Sequence, residues 1–142
     1  MKKFRNTLCL VLVLALSLCG GARAAAAETR ASAYLAAYLA YVYVDQDGTV
    51  SVCYDVQASN TMDEVGVLTI RLQEQVPGSS TWTTVKTYRY TDYPDMLSYN
   101  DDLHYGHVDY DGNVENSYRA YVTIWAGKNG DGDSRIILAT EV

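Results

Sequence analysis

Histidine, phenylalanine, proline and cysteine are all scarce in this sequence, with two, one, two and three residues respectively in 142. Two of the cysteines, Cys9 and Cys19, fall within the first 27 residues, which read as an export signal, so Cys53 stands alone and the domain can form no internal disulfide. The plain reading of Cys53 is a half-buried small residue on a strand; a reactive or intermolecularly paired thiol is the alternative. The two histidines, His104 and His107, are three apart, and in a strand such residues point to opposite faces, which argues against a shared metal. No apolar run approaches the ~20 residues that cross a bilayer, the longest being residues 8–18. Neither a nucleophile elbow nor a catalytic-cysteine signature occurs. Asp101 and Asp102 could supply paired carboxylates for glycoside hydrolysis, but nothing distinguishes them from a solvated loop. The expectation is a non-enzyme without cofactor or metal.

What is present begins with Lys2, Lys3 and Arg5, then the apolar run, then Ala22-Arg23-Ala24 and three further alanines. This order predicts a secretory signal peptide over residues 1–27, cut between Ala24 and Ala27, and a secreted, extracellular product. Residues 16–20, Leu-Ser-Leu-Cys-Gly, resemble a lipobox, but Leu18 occupies the position where that motif wants a small residue. Residues 28–142 are the size of one domain. All seventeen acidic residues lie there, and removal of four bases with the signal leaves seven against them, a net charge near −10. Such a balance repels nucleic acid and anionic membranes.

Residues 118–126 are the longest two-residue alternation, with Tyr118, Ala120, Val122, Ile124 and Ala126 on one side and Arg119, Tyr121, Thr123 and Trp125 on the other. The pattern predicts a central strand with one face on a core. Upstream, the spacing of Tyr34, Leu35, Tyr38 and Leu39 suggests a short helical or irregular lead-in, followed by a strand from Tyr41. Asp45-Gln46-Asp47-Gly48 predicts a hairpin turn. The same residues could open a calcium loop, but Val56 stands where that loop needs its glutamate. Val50, Val52, Tyr54 and Val56 alternate in a second strand; residues 59–66 read as a turn-rich connection; Leu68, Ile70 and Leu72 mark a third strand. Residues 82–90 form a fourth with no clear inner side, residues 92–102 a loop broken by Pro94, and residues 103–110 a fifth strand. Turns at Asp111-Gly112 and Asn129-Gly130 then bracket the central strand, and residues 135–142 close the chain. About seven strands without a periodic helix predict an all-β, antiparallel two-sheet sandwich.

Residues 118–130 resemble strand F and its following turn in fibronectin type III and immunoglobulin-like domains, where the tyrosine closes the corner before the strand. Residues 78–85 resemble the hairpin such sandwiches carry between strands C and C′. The chain after the signal, including residues 61–67 and 121–127, is similar to a family of small exported proteins of Gram-positive gut anaerobes whose function is uncharacterised. The resemblance implies a sandwich and no activity, and the immunoglobulin cysteine pair is absent.

The thirteen tyrosines, set against one phenylalanine, supply apolar area with a hydroxyl that can stay wet. If Ala120, Val122 and Ile124 face the core, Tyr121 and Trp125 face outward, and a neighbouring strand would add Arg71 and Gln73 beside them. These four are the candidate ligand-binding residues, for an extracellular glycan or protein. The competing account has Trp125 covered by residues 31–41 or by a long neighbouring side chain. A purely structural or self-associating surface protein is the alternative function, with a secreted antimicrobial or inhibitor behind it.

Overall fold

The computed structural model describes residues 32–142; the expected signal segment, with Cys9, Cys19 and the cleavage positions Ala24 to Ala27, lies outside the described residues. Those described form six strands and no α-helix: β1 (Leu35–Val44), β2 (Thr49–Gln75), β3 (Thr83–Arg89), β4 (Leu97–Asp111), β5 (Ser117–Lys128) and β6 (Asp131–Thr140). One 3-10 turn, Pro94–Met96, precedes β4. No helix among them is long and apolar enough to cross a membrane.

All named strand pairs are antiparallel and belong to one curled sheet with β2 at its centre. One edge of β2 carries β1 along Ala58 to Val50 and then β5 along Glu64 to Gln75. The other edge carries β4 and then β3, with Val56 opposite His104 and Arg71 opposite Thr87. β5 is flanked by β2 and β6, as a central strand should be. The curl brings the end of β6 back to β1: the Val142 amide donates to the Val42 carbonyl at 3.1 Å, and Glu141 bridges to Val42 in parallel.

The core follows the alternation. Tyr118, Ala120, Val122, Ile124 and Ala126 of β5 are buried together with Val50, Val52, Tyr54 and Val56 of early β2 and Ile70 and Leu72 of late β2. Burial of these branched and aromatic side chains is the main source of stability, each contributing ~1.5–3 kcal/mol relative to exposure. Two hairpin turns form as their residues demand. Gly48 has φ 92° and donates to Asp45 at 3.0 Å, while Asn129 and Gly130 take φ 56° and 77°, the pair of positive angles of a two-residue turn.

Three sequence expectations need correction. The lead-in is strand rather than helix, because Leu35–Val44 pairs along β2, and that pairing outweighs alanine's small helical preference. Residues 59–66 do not connect two strands but lie inside β2, so the strand count is six instead of about seven. Their polar residues mark a bulge, where pairing with β4 jumps from Gln57↔Leu103 to Met62↔Asp101. The third correction is the loop of residues 92–102, which is shorter than expected because β4 already begins at Leu97.

Candidate functional site

The outer face of β3, late β2, β5 and β6 holds most of the candidate binding residues. Arg71 pairs with Tyr121 and Gln73 with Arg119 across the β2–β5 ladder, so alternate outward residues of the two strands meet. The Arg71 guanidinium carbon lies 4.9 Å from the centre of the Tyr121 ring. Arg119 lies 4.3 Å from the Trp82 ring and 5.6 Å from that of Tyr121. Trp82, Arg119, Tyr121 and Arg71 therefore form one continuous stack of ring and guanidinium faces. Arg119 Nε donates to Gln73 Oε1 at 2.9 Å, and Gln73 Nε2 donates to Thr84 at 3.4 Å, which fixes the guanidinium plane. Among the described residues neither Arg71 nor Arg119 joins a salt bridge, in a chain of seventeen acids. The stack continues onto β6, where Leu138 opposite Tyr121 and Ile136 opposite Thr123 are 48% and 70% exposed.

Trp125 does not join this group. Its ring turns over Gly127 and Gly132, which are paired across the β5–β6 hairpin, and a Cβ at either would collide with the indole. Its Nε1 donates to Glu64 at 3.1 Å. Half-buried on this glycine seat, it lines a shallow hollow with Asp63, Glu64 and Tyr99. The candidate set thus divides into Arg71, Gln73 and Tyr121 in one place and Trp125 in another. Two members of the stack were missed. Arg119 shares the outward phase of Tyr121 and could have been found from it; Trp82 stands just before β3, whose inner side the sequence does not declare.

His104 and His107 point to opposite faces as expected: His104 is buried and stacked on Tyr54, while His107 is exposed and lies 3.6 Å from Asp109. Cys53 is free and half-buried on β2, opposite Tyr41 on one side and His107 on the other. Asp101 and Asp102 are exposed on β4. Comparison with protein-family models, with curated proteins and with solved structures gives no match for this chain.

Proposed function

We propose that the protein is an exported, non-catalytic recognition module whose outer β3–β2–β5–β6 face docks a protein partner with an acidic surface. The observation that carries the reading is the pair of guanidiniums, Arg71 and Arg119, held over aromatic rings and, among the described residues, in salt bridge with no carboxylate. Arginine, tyrosine and tryptophan are the residues that dominate protein interfaces, and preorganised guanidiniums lose little entropy on meeting carboxylates. The exposed Ile136 and Leu138 extend the patch with aliphatic surface, which suits a protein more than a sugar ring.

The underlying architecture is read as a two-sheet sandwich of immunoglobulin or fibronectin type III kind, as in the resembling family of exported proteins. Two features support it. β2 runs from a half paired with β1 and β4 into a half paired with β3 and β5. The Tyr118 hydroxyl accepts from the Asn113 amide at 2.8 Å, five residues upstream, in the manner of a tyrosine corner, and donates to Glu74 at 2.7 Å.

The test is capture by the immobilised protein, comparing wild type with Arg71→Ala, Tyr121→Ala and Ile136→Asp. A true partner is lost about tenfold or more with each arginine or tyrosine change and released by salt, since a charge-assisted hydrogen bond contributes ~1.5–3 kcal/mol. Capture indifferent to all three variants rejects this face. The edge position of β6 favours a second reading, self-association, which sedimentation over a concentration range would reveal and Ile136→Asp would abolish.

A further inference from the structure

A second concavity, unrelated to the arginine face, lies between the end of β3, residues 92–96 and the later half of β4, with a volume of about 810 Å³. Five tyrosines, Tyr54, Tyr88, Tyr93, Tyr105 and Tyr110, are among the residues that line it. Tyr88 forms the floor, its ring 5.2 Å from that of Tyr93 in an edge-to-face contact and its hydroxyl donating to the Asp109 carbonyl at 2.7 Å. Tyr54 comes from β2, and burial pushes both Tyr54 and Tyr88 up to about 12, so these hydroxyls stay neutral. Tyr93 and Tyr105 stand at the rim, 39% and 74% exposed. Around them are Asp92, Asp95, Asp109 and Asp111, against which the groove sets Lys86 and His107.

Three observations restrict the ligand. The carboxylates are dispersed round the mouth, and among the described residues no group of three or more His, Cys, Asp or Glu is gathered closely enough to hold a metal ion. Charge dispersed in this way suits an elongated organic cation better than a point ion. Carboxylates only accept hydrogen bonds, which matches an ammonium that only donates. The groove also already uses one ammonium on a ring: Lys86 Nζ lies 5.7 Å from the centre of Tyr88.

We propose that this groove binds a small linear alkylammonium ligand of the polyamine type. Its methylenes lie along the tyrosine rings, and its ammonium groups meet the ring faces and the dispersed aspartates. The net negative charge of the chain draws such a cation in.

Calorimetric titration of the full chain with spermidine at low salt tests it. Saturable one-site binding is expected, weakened about tenfold by Tyr93→Ala and by Tyr105→Ala, the loss of one ring–cation contact at 1.4 kcal/mol per tenfold. Asp95→Asn weakens it several-fold at low salt and less at high salt. Arg71→Ala leaves it unchanged, so failure here and failure of the arginine face are separable. Absence of saturable binding overturns the assignment, as does equal binding of an uncharged diol of the same length or tyrosine-dependent binding of a neutral oligosaccharide. Binding of oligolysine without spermidine overturns it in favour of a basic protein segment. Circular dichroism of each variant confirms that its fold is retained.

Discussion

His104 is the one buried polar side chain of the described core, 8% exposed, and its two ring nitrogens fare differently. Nδ1 shares a hydrogen bond with Ser98 Oγ at 2.7 Å, while Nε2 is buried without a partner. Burial pushes its pKa below the ordinary 6.5, opposed by the Asp95 backbone and by the charges of Asp101 and Asp95. The unfolded chain therefore takes up this proton at a higher pH than the folded one. Stability falls as the pH drops below 6.5 and levels off once the folded histidine is protonated, with a slope of at most ~1.4 kcal/mol per pH unit. Asp131 and Asp133, whose pKa values are lowered from 3.8 chiefly by hydrogen bonds from Tyr34 and Ser32, lose their contribution only as the pH falls below that value. The histidine window therefore opens at a higher pH than the carboxylate one. Urea unfolding between about pH 7 and pH 5 should show the slope in wild type and not in His104→Gln; an unchanged slope in the variant would rule this histidine out. At this scale the sequence was informative where alternation was strict: it placed Arg71, Gln73 and Tyr121 outward and separated His104 from His107. It could not show that Trp125 would turn to Gly127 and Gly132, because side-chain direction along a strand depends on which neighbours leave room.

At the scale of elements, β2 is the feature that the sequence concealed. Ser59, Asn60 and Asp63 carry the composition of a turn, yet the strand passes through them. The extra residues bulge outward, where Ser59 donates from its amide to Tyr34 and from its hydroxyl to Ala33, while Met62 and Val65 remain in the core. Gly66 lets the strand continue. It sits at φ 145°, and a Cβ there would meet the Met96 carbonyl and the His104 ring. Gly78, in the turn before β3, also has a positive φ of 79° but has nothing within 4 Å. The comparison separates strain from space. Gly78→Ala should cost ~1 kcal/mol from backbone strain alone, whereas Gly66→Ala adds overpacking and should cost ~3 kcal/mol or more. Denaturant midpoints measure both, and equal costs would show that crowding at Gly66 is not what requires the glycine. The helical spacing of Tyr34, Leu35, Tyr38 and Leu39 misled for a different reason. Local propensity is a weak preference, and β1 gains a ladder along β2 that an isolated turn of helix could not match.

For the whole molecule, β2 is hydrogen-bonded to every other strand except β6, and β6 is held by β5 and by the Val142–Val42 contact. Antiparallel all-β character could be read from period-two patterning and turn residues spaced along the chain. The sharing of one 27-residue strand could not, since pairing partners are fixed by contacts distant in sequence. That sharing has an energetic consequence. If β1 and β4 were to separate, the first half of β2 would lose its partners on both edges, and the exposed Val50, Val52 and Val56 would forfeit several kcal/mol of burial. Those valines belong to the same buried cluster as Ile70, Leu72 and Val122, so their loss also uncovers the second half, and neither half forms a stable intermediate alone. Unfolding should be all-or-none. Native-state hydrogen exchange should give the same opening free energy for the slowest amides of Val52 and Val108 as for those of Leu72 and Val122. Midpoints read from Trp125 alone, in Trp82→Phe, and from Trp82 alone, in Trp125→Phe, should each coincide with loss of the β-sheet circular dichroism signal of the same variant. Two separate exchange plateaus divided at Gly66 would mean instead that the two halves of β2 belong to independently folding units.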